Sequence, residues 1–166
     1  MDNLCGIYSL INATRIVVGN SLDLNACEKL LVKCLSAIEH KQCPLNILSQ
    51  GTGIYNIGYA IDNVIRKKYS VKKSKPFHRD GNVSLNEYWT CIRTFLNNSK
   101  NRAVILGIES LSYSHWTVVC KATPKQLILF DSDKMKTISR GRCSVKKFTK
   151  SRPICMFPAA TYFLSK

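Results

Sequence analysis

No stretch of this chain is apolar over the roughly 20 residues that a membrane span needs. No basic segment leads into an apolar run at the start, where Asp2 stands, so a secretory signal is not expected. There is no C-x-x-C pair, and His40, His78 and His115 do not cluster with cysteines at metal-ligand spacing. A glycine-rich phosphate loop is also missing, which argues against nucleotide chemistry. Neither a metal nor a cofactor is therefore expected. With no internal repeat, low-complexity tract or linker-like segment, residues 1–166 are expected to form a single domain. That length buries a sizeable core without disulfides or metal.

Acidic residues are scarce. Ten Asp and Glu stand against 25 Lys and Arg, a formal charge of +15. Such an excess favours acidic protein or peptide partners and anionic surfaces or polymers. The basic residues fall in small groups, as in Arg66-Lys67-Lys68, Lys72-Lys73-Lys75 and Lys134 to Arg142. They do not form one tail with interleaved aromatics, so a general preference for anions is favoured over a dedicated nucleic-acid site.

Eight cysteines are present, at 5, 27, 34, 43, 91, 120, 143 and 155. Cys27, Cys34, Cys91 and Cys120 fall within apolar patterns and read as small buried hydrophobes. Reduced folding in a cytoplasmic setting is expected, although an even count leaves a disulfide framework open.

Apolar residues at 7, 10, 11, 13, 16 and 17 predict a helix from Cys5 to about Val18, stopped by Gly19-Asn20. A second helix is predicted over about 24–39 with Asp23 as N-cap, a third over about 53–68, and a fourth opened by the capping box Ser84-Leu85-Asn86-Glu87. His40 to Thr52 reads as a loop with at most a helical turn, and Tyr69 to Asn82 as an extended excursion or a strand followed by a loop. Beyond residue 100 the pattern turns β-rich. Ala103 to Ile108, Trp116 to Cys120 and Gln126 to Phe130 read as strands, the last two joined as a hairpin through Ala122-Thr123-Pro124-Lys125. Residues 134–150 read as polar and basic, and Ala159 to Leu164 as a closing strand. Helices first and antiparallel strands second make an α+β fold.

Cys5 opens the first helix, where unpaired N–H groups and the helix dipole favour the thiolate, the reactive form. A thiol nucleophile needs a base, and the base needs a third group to orient it. His115 begins one hairpin strand and Asp131 follows the end of its partner, so antiparallel pairing brings the two together. Cys5, His115 and Asp131 are thus the candidate nucleophile, base and orienting acid. Tyr113 and Trp116 are candidate cleft walls, with core packing the plainer reading for Trp116, and Asp133 is the alternative orienter. Ser9 and Ser114 are polar neighbours that nothing selects.

Asn3-Leu4-Cys5-Gly6 leading into an apolar helix, Ser114-His115-Trp116-Thr117-Val118-Val119, and Leu127-Ile128-Leu129-Phe130-Asp131 resemble papain-like cysteine peptidases. The nearest branch is the one that trims double-glycine leader peptides, with its bacterial relatives. The resemblance spans nearly the whole chain. It implies a papain-like fold, with N-terminal helices packed on a C-terminal antiparallel sheet, and a thiol hydrolase cleaving a peptide or isopeptide bond through an acyl-enzyme. Deamidase, transglutaminase or peptidoglycan amidase chemistry, in a bacterial effector delivered to a target cell, is the alternative. An inactive basic binding module of the same fold is the third reading. One departure stands out. The family carries a glutamine a few residues before the cysteine as oxyanion donor, whereas this chain has Met1-Asp2-Asn3-Leu4. Asn3 is the candidate substitute; a donor ahead of Met1 and a weak or inactive enzyme are the other options.

Overall fold

Among the described residues seven strands form one sheet; six follow the antiparallel order β1-β7-β2-β3-β4-β5, and β6 pairs in parallel with β7. The strands are β1 (Lys72–Ser74), β2 (Arg102–Glu109), β3 (Ser114–Ala122), β4 (Gln126–Leu129), β5 (Thr137–Ser139), β6 (Cys143–Ser144) and β7 (Ile154–Ser165). The computed structural model describes residues 3–19, 22–79 and 81–166. Mixed helix and antiparallel sheet make this an α+β protein, as the order of periodicities implied.

Helix α1 (Cys5–Val18) buries Ile7, Leu10, Ile11, Ala13, Thr14 and Val17, which share one side by helical spacing. Gly19, at φ +76°, adopts a backbone conformation that side chains disfavour and ends the helix. Asn20, like Met1 and Asp2 ahead of the cysteine, lies outside the described residues. In α2 (Leu24–Glu39), Asp23 caps the start by accepting from the Ala26 N–H at 2.7 Å. Helix α4 (Ile54–Ala60) runs through a π-helical segment, Ile61–Ile65, into α5 (Arg66–Tyr69), occupying the span of the expected third helix. Helix α6 (Leu85–Asn97) opens with the expected capping box, Ser84 and Glu87 each satisfying the other's N–H.

The sheet has a core on each face. Ala103, Ile105, Val118, Tyr162 and Leu164 pack with α1, α2 and the α4 span. Their strand neighbours Val104, Leu106, Val119 and Phe163 point the other way and pack with Tyr88, Trp89 and Ile92 of α6. The alternation in β2 therefore serves two cores, which is why its sequence reads as a continuous apolar run.

Three segments differ from the sequence reading. Residues 44–50 form helix α3 (Pro44–Gln50), with Pro44 in its first turn; only Ile47 is buried, so no apolar stripe announces it. The basic stretch after Asp133 contributes β5 and β6, too short to show periodicity. Strand β7 begins at Ile154, well before Ala159. Met156 pairs with Ile108 and Thr161 with Leu106, so residues 157–160 bulge from the ladder, and Pro158 sits where no N–H is required. Of the cysteines expected to be buried, only Cys34 is fully so; Cys27, Cys91 and Cys120 are half-buried, and all eight are free thiols.

Gly58 is enforced by β7. A Cβ there would lie 2.7 Å from the Tyr162 hydroxyl, which donates to the Ile54 carbonyl at 2.6 Å. Gly58→Ala is expected to lower stability by about 1–3 kcal/mol through overpacking and loss of that bond. Gly141→Ala, with nothing near its Cβ, is expected to be close to neutral. Urea denaturation of both variants checks the contrast.

Candidate active site

The first turn of α1 lies against β3 because residue 6 has no side chain. A Cβ on Gly6 would come within 2.9 Å of Thr52 Cβ, 3.0 Å of Ile57 Cδ1 and 3.3 Å of Trp116 Cδ1. Two bonds fix the approach. Ser9 Oγ donates to the Trp116 carbonyl at 2.9 Å, and the Trp116 indole N–H donates to the Thr52 carbonyl at 2.8 Å. Cys5 is thereby held beside the start of β3, where His115 stands.

The hairpin supplies the other two groups. β3 and β4 pair through Val119 and Leu129, and the Phe130 N–H donates to the Val118 carbonyl, which carries Asp131 back alongside the start of β3. His115 Nε2 bonds Asp131 Oδ2 at 2.7 Å, with the imidazole 6% exposed and the carboxyl side chain fully buried. The other carboxylate oxygen accepts from the N–H groups of Asp133 (2.8 Å) and Met135 (3.3 Å) in a side-chain-closed turn. Thr117 Oγ1 is buried beside this carboxylate and close enough to favour its ionised form, without the geometry of a full hydrogen bond.

Nε2 is engaged by Asp131, which leaves Nδ1 as the ring nitrogen available to Cys5, the group close enough to shift the imidazole's titration. Burial pushes the Cys5 thiol up. The bond with His115, the Trp116 backbone N–H, the imidazolium charge and the Gly6 N–H together outweigh it, and the thiol falls below its usual value. Burial likewise opposes a charged His115. Its bonds to Asp131 and Cys5, and their negative charges, push it up to about 10. For Asp131 too burial favours the neutral form, but the His115 bond, Thr117, the imidazolium charge and the Asp133 N–H hold the carboxyl below its ordinary range. Both shifts favour a thiolate–imidazolium pair, with the Asp131 carboxylate orienting the ring.

These groups open into a cleft of about 560 Å³ that is lined by Asn3, Tyr8, Asn12, Phe130 and Ser132 besides the three candidates. Ser114 and Asp133 line it as well. Tyr8 and Asn12 follow Cys5 at i+3 and i+7 on one helix face, a relation present in the sequence but not used to select them. Phe130 and Ser132 flank Asp131 and carry no signal of their own.

Several expected roles move. The Asn3 amide, the candidate oxyanion donor, gives its hydrogens to the carbonyls of Leu48 (2.8 Å) and Ser49 (3.0 Å). The end of α3 leaves carbonyls without helical partners, and Asn3 satisfies them; because α3 read as a loop, those acceptors were invisible in the sequence. Leu4 offers no side-chain cap to α1, whose first turn opens at Cys5 at the head of the cleft. Trp116 takes the core-packing role, the plainer reading for it, as a strut beneath α1, and Tyr113 packs into the α6-side core. Asp133 lies exposed on the cleft rim and positions Asp131 through its backbone N–H instead of facing His115. The fully buried thiols Cys34 and Cys143 are each pushed up to about 12 by burial, so Cys5 contrasts with both. Among the described residues no group of His, Cys, Asp and Glu could hold a metal ion, and no helix is long and apolar enough to cross a membrane. Comparison with protein-family models, curated proteins and solved structures finds no match in any of the three.

Because the Cys5 thiol is lowered, its alkylation by iodoacetamide is expected to be faster at neutral pH than that of an ordinary thiol, which at a pKa of about 8.5 is mostly protonated there. Asp131→Asn removes the charge that holds the imidazolium. The His115 pKa should then fall from about 10 toward its ordinary value, read by NMR titration, and the Cys5 alkylation midpoint should rise. An unchanged His115 titration in that variant would contradict the electrostatic assignment.

Proposed function

We propose that this chain is a papain-like thiol hydrolase that cleaves a peptide or isopeptide bond through an acyl-enzyme on Cys5. The observation that carries the reading is the 2.7 Å hydrogen bond between His115 and Asp131, with Cys5 lining the same open cleft and shifting the imidazole's titration. A nucleophile on a helix start, with base and orienting acid on the two strands of a hairpin, supports the papain-like fold as well.

The chemistry follows from the geometry. The Cys5 thiolate adds to the substrate carbonyl carbon, and the carbonyl π pair moves onto oxygen. That oxyanion meets uncapped first-turn N–H groups of α1, a favourable place for developing negative charge. Collapse of the tetrahedral intermediate breaks the carbon–nitrogen bond while His115 gives its Nδ1 proton to the departing amine. A thioester on Cys5 remains. Neutral His115 then takes a proton from water, the hydroxide attacks the thioester, and the acid product leaves with Cys5 again a thiolate paired to the imidazolium. Asp131 stays ionised throughout, holding the ring in place and stabilising its charge.

A thiol-directed probe tests this. Cys5 should be labelled far faster than the other seven cysteines, and the advantage should vanish in His115→Ala; equal labelling of every accessible thiol would sink the proposal. With candidate protein substrates, mass spectrometry should show chain cleavage. A gain of about one mass unit at glutamine with the chain intact would assign deamidation instead.

A further inference from the structure

The cleft does not end at the triad. On the far side of Phe130 lies a second hollow of about 360 Å³, lined among the described residues by Arg15, Ile16, Gly19, Leu22, Cys120 and Phe130. Phe130 lines both hollows, so they adjoin at this residue. One wall is a single face of α1. Cys5, Tyr8, Asn12 and Arg15 follow one another at helical spacing, and Asn12 Nδ2 reaches the Phe130 carbonyl at 3.4 Å.

Arg15 is exposed, stacks its guanidinium over the Phe130 ring at 5.6 Å, and forms no ion pair with any described carboxylate. A stacked guanidinium is held in place with its donors still open to a planar anion. The nearer part of the groove carries the exposed Asp133, whereas the Asp131 carboxyl is buried on His115, so the two ends differ in charge. We infer that the groove along α1 binds an extended peptide and that Arg15 selects an acidic side chain in it. The inference rests on the proposed thiol hydrolase function and adds the substrate class. Its register follows from geometry. Ten residues of helix from Cys5 to Arg15 span about 15 Å, and an extended chain advances about 3.3 Å per residue. The acidic side chain therefore lies about four or five residues from the bond that is cut.

Two readouts test this on the full chain. In the first, a peptide library with blocked termini, in which only side chains supply carboxylates, is digested and the cuts are mapped by mass spectrometry. Asp and Glu should be enriched at that distance from the cut on one side. The enrichment should be lost in Arg15→Gln, partly kept in Arg15→Lys, and untouched in Lys67→Gln, which removes the same charge from the α5 surface. In the second, Cys5→Ala, which binds without cutting, should hold a glutamate peptide from the enriched set about tenfold more tightly than its glutamine counterpart, a difference set by one charge-assisted contact. Adding Arg15→Gln should abolish that difference. Acid preference that survives Arg15→Gln, falls equally in Lys67→Gln, or is absent from both readouts overturns the inference. Slow, His115-independent labelling of Cys5 alongside Arg15-dependent binding would instead remove the hydrolase function and leave the binding groove standing.

Discussion

The close approach of α1 to β3 at Gly6 governs the rest of the molecule. With hydrogen in place of a side chain, the first turn of α1 sits against Thr52, Ile57 and Trp116 at distances that a Cβ would violate. Ser9 and Trp116 then lock the approach with hydrogen bonds to the Trp116 and Thr52 carbonyls. A helix held farther from the sheet would carry Cys5 away from His115, and neither the lowered thiol nor the raised imidazole would survive, since each depends on the other's charge and hydrogen bond. One missing side chain at residue 6 thus connects backbone packing to the electrostatics of the nucleophile.

The polar chain behind the nucleophile is unusually well held at its far end. Asp131 has one oxygen on His115 and the other closed by two backbone N–H groups from the turn it starts. A carboxylate with its side chain fully buried would ordinarily take up a proton. Two backbone N–H groups and the imidazolium of His115 keep it charged. The turn after β4 is therefore part of the site, and Asp133 contributes through its backbone and through its place on the rim.

Both faces of the sheet are committed to cores, and the site lies where one face meets the start of a helix. The face that packs on α1 holds Ile105 and Val118, while the opposite face, packed on α6, holds Leu106 and Val119. Because α1 is apolar only on its inward side, its outer face is free to line a groove. Cys5, Tyr8, Asn12 and Arg15 share that face, so a run of otherwise unremarkable helix residues becomes one wall of the cleft and its continuation past Phe130.

Local signals were strong where a residue's role depends on its chain neighbours. The extent of α1, the Asp23 cap, the Ser84–Glu87 box and the β3–β4 hairpin are short-range matters, and the sequence by itself determined them. The pairing of His115 with Asp131 was legible for the same reason, because a hairpin converts a sixteen-residue separation into adjacency. Only tertiary structure decided what depends on distant partners. Asn3 turns to the carbonyls of Leu48 and Ser49 because α3 ends there, and Trp116 becomes a strut because Thr52 supplies an acceptor 64 residues away. Strand β7 tolerates Pro158 because its ladder with β2 bulges at that point. Periodicity reports which side of an element is buried, but not which donor meets which acceptor; that awaits the packing of elements far apart in the chain.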